Sequence, residues 1–187
     1  MDIDSQVVTY IAEHRAWLLD RVALATMFIG TNRGTLAVIG LVGLAIVIWL
    51  RKWRMAVAAA LALISSALVS ELLKDLIGRR RPAPTLALVD AAGSSLPSAD
   101  AAMTAAVAIA IFLAVDWPTP MVRRIAAVAL IVGVFWIGFC VVYLGVHWPT
   151  DVLVGWVLGG GIGLAAASRV GRWGRPGRPP ATKSTSF

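Results

Sequence analysis

Charge is what this chain has least of. Only 14% of its 187 residues are Asp, Glu, Lys or Arg, where a soluble domain carries about a quarter. That shortage, with 59% hydrophobic residues and a mean hydropathy of +0.81, excludes an ordinary water-soluble enzyme and points to the membrane. Cysteine is nearly absent. The single Cys140 leaves no intrachain disulfide and no zinc-type cysteine spacing, and its place inside an apolar run reads as a small buried hydrophobe. The opening residues, MDIDSQVVTYIAEHR, begin acidic and lack the basic start, apolar core and small-residue cleavage site of a cleavable signal peptide, so none is expected. No internal repeat and no metal-ligand cluster stand out, and neither a metal nor a cofactor is expected. The net charge of +7 would suggest nucleic acid in a soluble protein. Here the cations fall in short loops and a tail, so membrane topology and anionic lipid account for them and no nucleic acid partner is expected.

What the chain does have is apolar runs. Thr35–Leu50, Met55–Leu73, Ala101–Val115, Ile125–Val142 and Val152–Ala167 approach, with their flanks, the roughly 20 residues needed to cross a bilayer. A sixth stretch, Ala16–Gly30, is broken by Asp20 and Arg21 and reads as a short helix docked on the bundle or an amphipathic one in the interface. The fold expected is therefore all-α, a polytopic membrane helix bundle with five to six transmembrane helices. Tryptophans 49, 53, 117, 148 and 173 fall near run ends, at headgroup level. Gly155, Gly159 and Gly163 are spaced by four and let helix backbones approach closely, within the bundle or across a homodimer face. Residues 1–15 form an N-terminal segment, 16–168 the transmembrane domain, and 169–187 a basic tail expected to be disordered.

Loop cations set the orientation. Counting from Thr35–Leu50, one side holds Arg51, Lys52, Arg54, Arg123, Arg124 and five cations of the tail. The other holds Arg33, Lys74, Arg79, Arg80 and Arg81. The excess of Lys and Arg on the first side places the C-terminus in the cytoplasm and the polar motifs outside a cell membrane.

Those motifs lie at the outer ends of the runs. In KDLIGRRRP (Lys74–Pro82), an ammonium and a guanidinium converging on one point suit a phosphate. The same residues also read as a helix C-terminus decorated with snorkelling cations. In PSAD (Pro97–Asp100), Ser98 and Asp100 suit a helix start, whose free N–H groups also suit a phosphate. In HWPTD (His147–Asp151), a helical turn would let the carboxylate reach one imidazole nitrogen and leave the other facing a cavity, as in an oriented base or nucleophile. A headgroup-level histidine beside a capping Asp is the plainer alternative. His14 has no such setting and reads as a surface residue.

Taken in order, these motifs resemble the type 2 phosphatidic acid phosphatase family (PAP2), which shares its core with vanadium haloperoxidases. The family pattern is K-x6-R-P, then P-S-G-H, then S-R-x5-H-x3-D. Lys74, Arg81 and Pro82 match the first element, Pro97 and Ser98 the start of the second, and Gly145, His147 and Asp151 the end of the third. The resemblance implies a six-helix architecture over most of residues 20–168 and a lipid phosphatase needing no metal. The residue matching His147 would attack phosphorus to form a phosphohistidine, Asp151 would orient it, and Lys74 and Arg81 would hold the phosphoryl oxygens.

The chain also departs from the pattern. Ala99 and Asp100 stand for Gly-His, removing the usual acid for the leaving group, and Cys140 and Val141 stand for Ser-Arg, removing a phosphate-binding guanidinium. Arg79 or Arg80 is the candidate replacement for the arginine. Asp100 is the candidate acid, unless an ion pair with Lys74 or Arg81 locks it. Two readings follow: a phosphatase acting on a phospholipid or polyprenyl-phosphate substrate, pyrophosphates being favoured by the missing acid, or a catalytically impaired relative binding a lipid phosphate or a membrane partner. A transporter fits less well, since broken inverted repeats are not visible.

Overall fold

The computed structural model describes residues 2–172, which form seven α-helices and no strand. They are α1 (Ile3–Glu13), α2 (Trp17–Thr31), α3 (Arg33–Leu50), α4 (Trp53–Ile77), α5 (Ala99–Ala114), α6 (Pro120–Tyr143) and α7 (Pro149–Arg172), with a 3-10 turn at Pro84–Leu86. The five apolar runs become α3 to α7, and Ala16–Gly30 becomes the short α2. Helix α7 continues past the expected boundary at 168, and the rest of the expected tail lies outside the described residues. Among the described residues α4, α6 and Pro149–Gly171 of α7 are long and apolar enough to cross a membrane, while α5 is a shorter apolar helix.

Local signals place the ends. Thr119 caps α6 by accepting the Val122 N–H at 3.2 Å, with Pro120 in the first turn, where its missing N–H costs nothing. Gly78, at φ 65°, closes α4 in the left-handed conformation, its N–H bonded to Lys74 O, a geometry that favours glycine.

Helix α5 is the centre of the bundle, packed chiefly against α7 and α4. Its buried face is almost all alanine (Ala101, Ala102, Ala105, Ala106, Ala110). Ala58 and Ala62 of α4 and Ala166 and Val170 of α7 close around its lower half. The α7 glycines belong to this contact. A Cβ on Gly155 would stand 2.7 Å from Ser98 O, one on Gly163 2.5 Å from Ala106 O, and one on Gly159 would collide with Ala102 O. The stripe is thus filled by α5 within one chain, and the homodimer face expected from it is already covered. Gly159→Ala should lower stability in detergent by about 3 kcal/mol through overpacking against rigid backbone. Gly161→Ala, where a Cβ meets nothing within 4 Å, is the control; equal melting of the two variants would refute this packing.

Large apolar side chains such as Leu68, Leu72, Leu76, Ile131, Val132 and Phe135 face outward. Surface of that kind is rare on soluble monomers and suits lipid. At one end of the bundle, a second cluster joins Val8 of α1 and Ala23 of α2 to Cys140, Val141 and Leu144 at the end of α6. Within the N-terminal segment, α1 therefore packs against α6, α7 and the 3-10 turn. Between α1 and α2, Arg15 donates to Leu86 O at 2.6 Å and Tyr143 O at 3.1 Å, and the Tyr143 hydroxyl donates to Asp20 at 2.7 Å. These bonds tie α1, α2 and the 80s loop over the end where α4 and α6 finish and α5 and α7 begin.

Candidate active site

All three sequence motifs meet at that end. The chain leaves α6 through Gly145, at φ 75°, where a Cβ would collide with Leu86 O, so glycine is needed both for conformation and for space. The turn drops His147 into the protein, 3% exposed, with its N–H on Val141 O at 3.3 Å. Pro149 then starts α7 and places Asp151, fully buried, in its first turn.

The imidazole has a polar neighbour on each side. Nδ1 lies 3.4 Å from Asp151 Oδ2, just beyond ordinary hydrogen-bond length and within the range that catalytic contacts close when substrate binds. Nε2 lies 3.2 Å from Arg81 Nη1. A guanidinium can only donate, so this contact assigns the lone pair to Nε2 and the proton to Nδ1, facing Asp151. The arrangement is that of a neutral histidine with its basic nitrogen turned toward a fixed cation.

Asp151 collects donors. Oδ2 accepts the Trp148 N–H at 2.9 Å, and Oδ1 accepts Arg79 Nη1 at 2.5 Å. Arg79 in turn donates to Thr150 Oγ1 at 2.7 Å and to Asp4 Oδ2 at 2.7 Å, and its guanidinium lies 5.7 Å from the Trp148 ring centroid. Asp4, buried on α1, also accepts the Thr150 N–H at 3.1 Å and a very short bond from the Thr150 hydroxyl. Burial works to lower the Arg79 pKa, but the bond to Asp4 and the charge of Asp151 outweigh it and raise it. The charges run Asp4, Arg79, Asp151, so Asp4 offsets the cation that would otherwise neutralise the carboxylate behind His147.

Arg81 is fixed differently. Its Nη1 donates to Val146 O at 2.7 Å, and Nε to Ala92 O and Gly93 O at 3.2 and 3.3 Å. Burial lowers its pKa against the pull of Asp151, Asp100 and Glu71; it remains a cation, as arginine does in proteins. No carboxylate pairs with it among the described residues.

The other expected residues are placed as follows. Lys74 Nζ is 2.6 Å from Glu71 Oε1 on its own helix. Ser98 is fully buried and caps α5, its Oγ accepting the Ala101 N–H at 3.4 Å, while its N–H bonds Asp151 O at 3.1 Å. Asp100 forms no ion pair with Lys74 or Arg81; it lines a groove of about 580 Å³ between α2, α5 and α6, beside Thr104 and Cys140. Of the two candidate replacements, Arg79 is the one bonded to Asp151. Arg80 is exposed and gives the site its backbone carbonyl, which accepts Trp148 Nε1 at 2.9 Å and Ser95 Oγ at 3.2 Å. Val141 is fully buried in the apolar cluster.

Sequence reasoning missed Asp4, Thr150 and Glu71. A signal for the first was available: Asp2 caps α1 by accepting the Ser5 N–H at 2.9 Å, and Ile3, Val7, Val8 and Ile11 follow at helical spacing. Asp4→Asn should lower stability by about 2 kcal/mol, because it leaves Arg79 with one carboxylate where it had two. Asp4→Glu should recover part of the loss; chemical unfolding in detergent reads both, and a neutral Asp4→Asn would show that α1 does not anchor the network.

The PAP2 superfamily model matches residues 55–175. Curated protein sequences give no match. Among solved structures, the chain is similar to a transmembrane PAP2 type phosphatidylglycerolphosphate phosphatase from Bacillus subtilis, at 24% identity and TM-score 0.77, covering 94% of this chain and 87% of that one. It is also similar to Aquifex aeolicus LpxE, at 24% identity and TM-score 0.68, covering 90% and 96%.

Proposed function

Because the chain belongs to the PAP2 superfamily, we propose that it is a membrane lipid phosphatase that transfers a phosphoryl group to His147 Nε2 and then to water. The observation that carries this reading is His147 Nε2 standing 3.2 Å from Arg81 Nη1, with Asp151 behind the other ring nitrogen. A phosphate whose oxygens take the Arg81 N–H in place of Nε2 frees the nitrogen's lone pair and brings phosphorus to it. The N–P bond forms as the bond from phosphorus to the leaving oxygen breaks, positive charge develops on the imidazole, and Asp151 stabilises it. Water then attacks phosphorus, the N–P bond breaks with its electron pair returning to Nε2, and the water's proton passes to the inorganic phosphate released. Lys74 supplies a second cation after turning from Glu71, and the N–H groups at the start of α5, beyond Ser98, face the same end.

The leaving group decides the substrate. Asp100, which forms no ion pair among the described residues, is the carboxyl we assign to protonate a leaving oxygen. It is a weaker device than the family's histidine. A leaving group that is itself a phosphate needs less proton help than an alkoxide, so polyprenyl pyrophosphates should react faster than phosphatidic acid. The cation count supports a site on the extracytoplasmic face. The test is phosphate release in detergent from polyprenyl pyrophosphate, phosphatidic acid and phosphatidylglycerol phosphate, the last prompted by the Bacillus subtilis neighbour. An acid-labile phosphoryl adduct on the protein during turnover is expected, and turnover without it would sink the histidine route.

A second reading rests on a specific observation. Two cations that could hold phosphate are already neutralised, Lys74 by Glu71 and Arg79 by Asp4 and Asp151, and Val141 replaces a third. Saturable binding of these lipids with no release would establish a lipid-phosphate binding protein on this scaffold.

A further inference from the structure

The end of the bundle opposite His147 holds a second set of cations that form no ion pair among the described residues. Arg51, Lys52 and Arg54 surround the turn from α3 to α4 and line a cavity of about 420 Å³, closed by Ala114 of α5 and Val170 of α7. Among the described residues no ion pair is formed by any of the three. Asp116 lines the same cavity but is exposed and unpaired with them. At the His147 end, by contrast, Lys74 and Arg79 have carboxylate partners and Arg81 is bound by backbone carbonyls.

Two further observations make this cavity more than a patch of snorkelling side chains. Arg54 is fixed from within, donating to Val170 O at 3.2 Å and Gly171 O at 3.3 Å at the last turn of α7. Arg51 stands at φ 52°, the one non-glycine residue with positive φ among the described residues. Glycine would occupy that position without strain, yet the chain keeps a guanidinium there. Helix α4 also begins at this turn with no side-chain cap on its first N–H groups, adding the positive end of a helix dipole. Trp49 and Trp53, both largely exposed, flank the turn and set its depth at the headgroup level.

We propose that this cavity binds the phosphate of an anionic phospholipid from the leaflet opposite the candidate active site. The chemistry is that of an anionic phosphate among two guanidiniums, an ammonium and unpaired backbone donors, with acyl chains continuing along the apolar flank of the bundle. Helix α4 separates this site from the His147 end by roughly 37 Å, taking 1.5 Å for each of its residues. The inference does not depend on turnover at His147.

The test compares two double substitutions of equal charge on the same face. Arg51→Gln with Lys52→Gln alters this cavity. Arg123→Gln with Arg124→Gln alters the neighbouring one of about 480 Å³ beside Trp117. Full-length protein in phosphatidylcholine nanodiscs is titrated with phosphatidylglycerol or, separately, with inorganic phosphate, and the unfolding temperature is followed. The wild type should be stabilised saturably by phosphatidylglycerol and not by inorganic phosphate. The first pair should weaken the apparent lipid affinity by about 10-fold or more, and the second by less than about threefold. Arg51→Gly with Lys52→Gln removes the same charges while relieving the backbone, and should match the first pair without loss of intrinsic stability. Equal losses in both pairs would mean a diffuse basic surface and overturn the proposal, as would indifference of the wild type to phosphatidylglycerol. An equal response to inorganic phosphate would overturn the lipid assignment in favour of a soluble anion.

Discussion

His147→Ala is expected to reduce phosphate release by about 10⁴-fold or more, with little change in folding. Removing an attacking group removes the covalent step itself, and losses of that order follow when a nucleophile is deleted from a working constellation. The site should survive the change, because Arg81 is held by the carbonyls of Val146, Ala92 and Gly93 independently of the imidazole. Asp151 likewise keeps its bonds from Arg79 and the Trp148 N–H. Lipid binding should therefore persist while turnover and the phosphoryl adduct disappear. Single-turnover assays with enzyme in excess separate the two. A variant retaining more than about a hundredth of the wild-type rate would show that the attacking group is another residue or water.

Asp151→Asn should lose about 10³–10⁴-fold in rate, comparable to the same change behind other catalytic histidines, and should lose stability as well. Three donors converge on this carboxylate: Arg79, the Trp148 N–H and the protonated Nδ1 of His147. An asparagine has one acceptor oxygen and presents an NH₂ that must face at least one of those donors. Its preferred flip would satisfy Arg79 and turn the NH₂ toward the histidine, forcing the ring into the wrong tautomer and protonating the nitrogen that attacks. Leaving Arg79 with Asp4 alone should cost about 3 kcal/mol. Adding Arg79→Met and Asp4→Asn to Asp151→Asn removes the cation together with its remaining carboxylate, so that no buried charge is left unpaired. The triple variant should restore much of the stability and none of the rate, which distinguishes loss of chemistry from loss of fold. Recovery of rate in it would mean that Asp151 acts only through Arg79.

Much of this was legible from the sequence, for reasons that also mark the limits. Apolar runs announce helices because lipid-facing backbone must bond within its own segment, and α3 to α7 follow those runs. His147 and Asp151 were readable because only four positions separate them, although His147 lies in the bend before α7 and only Asp151 stands in its first turn. Lys74, Arg81 and Ser98 were readable from ordered motifs. The partners were not. Arg79 meets Asp4 across 75 residues, and nothing local separates Arg79, Arg80 and Arg81 in a run of three arginines. The glycine stripe showed that some helix packs closely, while its occupant, α5, depends on topology. Residues 1–15 looked like a separate segment because polar positions interrupt a short helix whose apolar face is narrow, and only the bundle supplies the surface that Val8 covers.

The Asp4 contact also constrains how the protein is made. Asp4 is made well before its partner, and its bonds to Thr150 span 146 positions. A closure of that range forms late, since the intervening loop must be brought together before any contact rewards it. While α2 to α6 are being inserted, α1 has neither Arg79 in its final place nor Thr150 to meet it. The pairing that secures Asp151 becomes available only when α7 arrives. Until α1 docks on α7, the carboxylate behind His147 therefore lacks part of its support, and the docking of α1 closes the network.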